Sequence, residues 1–360
     1  MQAVLADAIS HRKVIRAWLE PITRKNTAYA LALVAFDLAA FALTLTSAVL
    51  LPHPALQVLA GALAGLVIGR LFILGHDACH QSFTPHRKLN RWLGRLVFMP
   101  SLTPYSLWDV GHNVVHHGYT NLKDFDFVWQ PLSLDAYQRL SPWRQRLERI
   151  YRSGWAPWLY YVLEIWFKRM YFPSTQLMPT RRRVFTADGL LVTGVAAVWV
   201  AGLVVAVSAT GQSALWLLGV CFVLPLLVWN ALIGFVVYVH HTHTSVAWYN
   251  NKRDWSAASP FVSTTVHLTF GKGEGTFLHN IMEHTAHHVD MGVPLYRLKK
   301  AQALLEARLP GCIIIQRFSW AWYLNTARAC KLYDFEQRCW TDFDGRRTSW
   351  VCPAKERAVG

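Results

Sequence analysis

Three clusters of histidine, far apart in the chain and alike in spacing, are where this sequence can do chemistry. They are His76-Asp77-Ala78-Cys79-His80, then His112-Asn113-Val114-Val115-His116-His117, then His284-Thr285-Ala286-His287-His288. Residues three or four apart on a helix share a face, about 5–6 Å apart at Cβ, so each cluster can aim two imidazoles at one point and set another beside them. Each is one arm of a metal site. Eight imidazoles exceed the needs of one tetrahedral ion and suit a pair of ions, or one ion with spectators. Imidazole serves iron, zinc, copper and nickel alike, so spacing alone leaves the metal open. Cys79 lies inside the first cluster, but a small buried thiol is the simpler reading.

The elements that carry these clusters are apolar. The chain has 360 residues, 53% of them hydrophobic, with 17 tryptophans and a net charge of +15. That charge is all but absent from four long apolar runs, where Arg70 is the one basic residue, so it argues for a membrane surface rather than nucleic acid. The expected architecture is an all-α integral membrane protein: four transmembrane helices in two hairpins, and a helical cytoplasmic cap bearing the histidines. The expected spans are Ala28–Leu51, Ala55–Gly75, Ala187–Ala209 and Ala214–Val239. By segment this gives a basic amphipathic stretch at 1-27, a transmembrane hairpin at 28-75, and an insertion at 76-186 with the first two clusters. A second hairpin follows at 187-239, then a lobe at 240-360 with the third cluster.

The two hairpin turns, at Pro52–Pro54 and Thr210–Ser213, carry no Lys or Arg. By the positive-inside rule the other ends face the cytoplasm, which puts all three clusters on one side of a multi-pass protein, in a bacterial inner membrane or a eukaryotic endomembrane. Val4, Leu5, Ala8, Ile9, Val14, Ile15, Trp18 and Leu19 alternate with His11, Arg12, Lys13 and Arg16 in a pattern that suits a helix lying on a membrane surface, or an ordinary solvated helix. The stretches Leu89–Leu107 and Trp155–Phe172 are apolar but interrupted by charge and proline, and read as interfacial. Arg70, near the end of its span, is placed to snorkel. His53 sits in a turn at the far end of the first hairpin and reads as no ligand. Six cysteines without a CxxC pair read as reduced thiols. Gly271-Lys272-Gly273-Glu274-Gly275 lacks the register of a phosphate loop and reads as flexible.

The order HDACH, HNVVHH, HTAHH, with a transmembrane hairpin in the last gap, resembles the membrane fatty acid desaturase family. Leu278-His279-Asn280-Ile281, Val239-His240-His241-Thr242-His243 and Val293-Pro294-Leu295-Tyr296 are similar to its acyl-lipid omega-6 branch. The resemblance implies an oxygen-dependent acyl desaturase: two non-heme irons, dioxygen as co-substrate, and two electrons to place a double bond in a fatty acyl chain. It makes His76, His80, His112, His116, His117, His284, His287 and His288 iron ligands, with His241 a ninth. The middle cluster has three residues between its first two histidines where many members have two, which bears on which imidazole faces which iron.

Around these ligands, His279, Asp77, Asp109 and Glu283 are candidates to orient them by hydrogen bonds, as are Asp124, Asp126 and Asp290. His240 and His243 read as capping or headgroup contacts, and His11, His86 and His267 as surface or core. The partners expected are a membrane lipid or other acyl carrier as substrate and an external electron donor, a ferredoxin or b-type cytochrome, drawn to the basic face; no nucleic acid is expected. The same oxidant serves a hydroxylase, acetylenase or carotenoid-modifying oxygenase. A histidine-rich metal transporter would need ionisable residues lining its spans, where only Asp37 and Asp188 occur.

Overall fold

The computed structural model describes residues 12–174, 178, 180, 182–271 and 274–350. The expectations resting on Val4, Leu5, Ala8, Ile9, His11, Lys272, Gly273 and Cys352 lie outside them. In chain order the elements that matter here are α1 (Arg12–Leu19), α2 (Thr27–Leu50), α3 (Pro54–Cys79), α4 (Arg87–Phe98), α5 (Val110–His116), α6 (Arg183–Thr210), α7 (Ala214–His241), β1 (Val266–Thr269), α8 (His284–Val289), α9 (Leu298–Arg308), β2 (Ile314–Arg317), β3 (Leu332–Asp334) and β4 (Cys339–Thr341).

The chain is mainly helical, and among the described residues α2, α3, α6 and α7 are the four helices long and apolar enough to cross a membrane. Their starts follow local chemistry. Asn26 accepts the Tyr29 amide at the head of α2, and His53 accepts the Ala55 amide just before Pro54 at the head of α3, so His53 is a cap. Gly211, at φ +69°, ends α6 in the left-handed conformation glycine takes most readily. Two helices run past their expected ends. α3 continues through Cys79 and α7 through His241, so His76, His80, His240 and His241 ride on the last turns of spanning helices.

Two compact units make up the chain. One comprises Lys25–Gly111 and Tyr161–Gly234; the other comprises Met1–Arg24, His112–Tyr160 and Phe235–Gly360. In the first, α3 presents Gly61, Gly65 and Gly69, four residues apart, to α7. A Cβ on any of them would meet Val220, Pro225 and Val228, or Leu232 within 2.6 Å. Such a small-residue stripe lets two helices approach closely where lipid supplies no hydrophobic drive. The charges in this unit are paired. Arg70 Nε bonds Asp37 Oδ1 at 2.8 Å, with Asp37 wholly buried, so Arg70 does not snorkel. Arg95 bonds Asp188 at 2.8 and 3.3 Å, and Asp188 also accepts the Ser106 amide. Arg70→Ala would take the guanidinium away from the buried Asp37 carboxylate, so we expect a loss of about 3–5 kcal/mol, read by unfolding in detergent, and a smaller loss when Asp37→Leu accompanies it.

The second unit adds what the sequence did not announce, two small two-stranded sheets. β1 pairs in parallel with β2, Val266 opposite Ile314, and β3 pairs antiparallel with β4, Tyr333 opposite Trp340. They share a core of Val246, Trp248, Val266, Ile314, Cys330, Tyr333, Phe335 and Trp340. The Trp340 indole donates to the His243 carbonyl, which ties the C-terminal strands to the segment after α7. The five described cysteines are buried and form no disulfide with one another. α1 is no loose surface helix. Ile15 and Leu19 are fully buried, and Arg12 and Arg16 bond to residues at the end of α8.

Candidate metal centre

The middle cluster does not sit on an ordinary α-helix. α5 is a π-helical segment, in which hydrogen bonds span five residues. A wider turn brings residues five apart onto one line, so His117 Nε2 meets His112 Nε2 at 3.0 Å, while His116 points elsewhere. The spacing that read as an i, i+4 pair is therefore an i, i+5 pair. α8 divides its histidines in a complementary way: His284 and His288, four apart, face one point and His287 another.

The second unit thus gathers two sets. His116, His241, His284 and His288 are all buried, with ligand atoms within 4.8 Å of one another. His284 Nε2 lies 3.0 Å from His241 Nε2 and 3.1 Å from His288 Nε2. Beside it, His117 Nε2 lies 3.0 Å from both His112 Nε2 and His287 Nε2. The sets adjoin, because the His117 ring stacks on His288 at 4.1 Å. In the other unit, His76 and His80 on the last turns of α3 bring their Nε2 atoms to 3.4 Å, with Trp108 against the His76 ring.

These contacts fit metal ligation better than hydrogen bonding. A ring nitrogen either carries one proton or offers one lone pair, yet both His284 and His117 place one Nε2 against two others. Four nitrogens held tetrahedrally about 2.0–2.1 Å from an ion stand roughly 3.3–3.4 Å apart, close to what is seen. The far sides of two rings support this. His116 Nδ1 donates to buried Asp126 Oδ1 at 3.0 Å, and Asp126 is fixed by the amides of Asn121 and Val128. The Thr120 hydroxyl donates to the His116 carbonyl, so its lone pair receives His288 Nδ1 at 3.2 Å. Both rings thus keep Nδ1 protonated and turn an Nε2 lone pair inward.

Electrostatics agree. Burial first, then neighbouring imidazoles, hold His284 and His288 well below the ordinary 6.5 and bring His287 to about 3. The neutral form, which binds metal, is the resting form. A histidine depressed in the folded state takes up its proton in the unfolded state first, so the metal-free protein should lose stability as pH falls from about 6.5 toward 3. Thermal midpoints of chelated protein across that range check this; a flat profile would contradict it. Burial also raises Glu283 above the usual carboxylate range.

The remaining candidates fall outside both sets. His240 is buried and stacks on the His284 ring at 3.8 Å, with Nε2 3.2 Å from Met282 Sδ, so it braces a neighbour and is neither a cap nor a headgroup contact. His243 accepts the Ser245 amide in the turn after α7, and its Nε2 lies 3.3 Å from Gln316 Oε1. His279 is buried at φ +50°. Asp77 accepts the Ser82 hydroxyl, Asp109 is half-buried, Glu283 stands at the head of α8, and Asp124 is exposed. His86 precedes α4 and His267 bonds Glu306. Thr120 and Arg12 carry no sequence signal of their own. Asp126 had one, a carboxylate ten residues after a cluster histidine.

Fold and site define a class: a membrane protein, mainly helical, with buried sets of imidazole that could hold metal. The family model for fatty acid desaturases matches residues 52–318, and the chain belongs to that family of oxidoreductases. It is 29% identical over 235 residues to an sn-1 oleoyl-lipid 12-desaturase of Arthrospira platensis, 65% of this chain and 64% of that one. It is 30% identical over 250 residues to an sn-1 acyl-lipid omega-3 desaturase (ferredoxin) of Synechocystis, 67% and 65% of the two chains. With a chloroplastic omega-6 fatty acid desaturase of Spinacia oleracea it shares 25% over 334 residues, 92% and 71%. The omega-6 resemblance drawn from the sequence is met by these relatives.

Proposed function

We propose that the protein is an acyl-lipid desaturase that places a double bond in an acyl chain at a di-iron centre, using dioxygen and two electrons from a separate ferredoxin or b-type cytochrome. The observation that supports this most is the pair of adjoining, buried imidazole sets, with four and three ring nitrogens converging. One iron is held by His116, His241, His284 and His288. The other would be held by His112, His117 and His287; His76 and His80, on the last turn of α3, are further iron-ligand candidates. Two such ions supply the capacity to reduce dioxygen to water while two hydrogens leave an unactivated acyl segment.

The chain's own residues prepare that chemistry. Asp126 and Thr120 fix two rings as Nε2 donors, and His240 packs behind His284. Burial keeps the cage dry and its imidazoles neutral. The substrate is a monounsaturated acyl chain on a glycerolipid, a reading supported by the oleoyl-lipid relatives, and the donor reading is supported by the relative named for ferredoxin. The histidine clusters face the cytoplasm in a multi-pass arrangement. A metal-transport reading is disfavoured because Asp37 and Asp188 are spent on Arg70 and Arg95, and Asp77, on the last turn of α3, accepts the Ser82 hydroxyl.

The test is expression in a host that makes no polyunsaturated lipid, followed by mass spectrometry of its acyl chains. A new dienoic chain is expected. A hydroxylated or acetylenic product, or none, would contradict the proposal.

A further inference from the structure

Helix α8 has six residues and carries three of the histidines, His284, His287 and His288. In so short a helix the last carbonyls have no amide within the helix to receive. Two of them are received by a side chain from the other end of the chain. Arg12 Nη2 donates to the His288 carbonyl at 2.7 Å and Arg12 Nε donates to the Val289 carbonyl at 3.1 Å. Arg16 adds a bond to Asp290 Oδ1, just past the helix, at 2.9 Å. α1 is seated by fully buried Ile15 and Leu19, and the Arg12 guanidinium lies over the Phe261 ring.

The head of α8 is held as firmly. Gln302 on α9 accepts the Ala286 amide at 2.9 Å, and Thr265 bonds Thr285 through their hydroxyls at 3.1 Å. The helix is therefore clamped at both ends, and the tail clamp differs in kind. Its acceptor is the carbonyl of a ligand residue, and its cation opposes the negative end of the helix. A planar guanidinium spanning two successive carbonyls also fixes rotation about the helix axis, which a point charge does not. Rotation is what decides whether His288 and His287 stay aimed at their two separate points.

We infer that Arg12 is a positioning residue of the metal centre, holding α8 in the rotation that lets His287 and His288 serve different ions. The inference rests on the metal-centre reading above. It makes the N-terminal helix part of the site although no residue of it touches an ion. Arg16, with its side chain half exposed, contributes less.

The experiment uses the full chain in detergent, stripped of metal and titrated with cobalt(II) against a chromophoric chelator, with the ligand-field absorption of the bound cobalt recorded. Arg12→Ala should weaken cobalt binding by about 10–100-fold and shift the absorption bands, the size of effect usual for outer partners of ligands. Arg12→Lys should recover part of the affinity, and Arg16→Ala should stay near the parent protein. A merely structural role would lower the unfolding midpoint of Arg12→Ala and leave its affinity and bands unchanged, and that result overturns the inference. Should Arg12→Ala fail to fold, Arg12→Lys carries the test: weakened binding with shifted bands supports the inference, and parental values overturn it. A parent protein that takes up no metal overturns the metal-centre reading and this inference together, whereas parental metal binding matched by every Arg12 variant overturns this one alone.

Discussion

Replacing His116 or His287 by Ala should abolish the new acyl product while leaving the protein in the membrane. The two residues report on different ions. His116 belongs to the four-imidazole set and His287 to the three-imidazole set, so either change should remove one ion's worth of metal per chain. Neither is needed to build a spanning helix: His116 ends α5 and His287 lies within α8. The loss should therefore appear in activity and metal content before it appears in membrane yield. Lipid profiling beside metal analysis of the same preparations checks this, and retained product in either variant would break the ligand assignment.

Asp126→Ala should have the next largest effect, although Asp126 touches no ion. Its buried carboxylate receives three donors: His116 Nδ1 and the amides of Asn121 and Val128. Removing it strands those donors, at about 1–3 kcal/mol for each one left unsatisfied in the interior. It also frees the His116 ring to rotate or change tautomer, which costs roughly 10–100-fold in metal affinity or activity where comparable partners are removed. Asp126→Asn keeps the shape but turns an NH2 toward at least one of the three donors, so it should fall between the parent and the Ala variant. Unfolding midpoints and metal titrations on both variants check the order. Full metal binding in Asp126→Ala would mean that the carboxylate only braces the loop.

What could be read in advance was set by short range. The four spans follow from hydropathy and length, and the clusters from residues close enough in sequence to share a helical face. The π-helical turn could not be read, because the middle cluster holds both a four-residue and a five-residue pair and only hydrogen-bond register chooses between them. The Asp37–Arg70 pair left a trace that went unused: the two charges stand about equally far from the turn at Pro52–Pro54, on opposite limbs of one hairpin. Strands β3 and β4 have three residues each, too few to show an alternating pattern. The Arg12 clamp joins positions 276 residues apart, and amphipathic spacing in α1 fits a membrane surface as well as it fits a protein surface.

The account turns on two ions, held side by side by imidazole. Protein purified without added metal, under reducing and anaerobic conditions, should carry about two irons per chain, divided between the two histidine sets. Zinc in place of iron with no oxygen-dependent activity, or a single iron that survives the loss of His287, would contradict it.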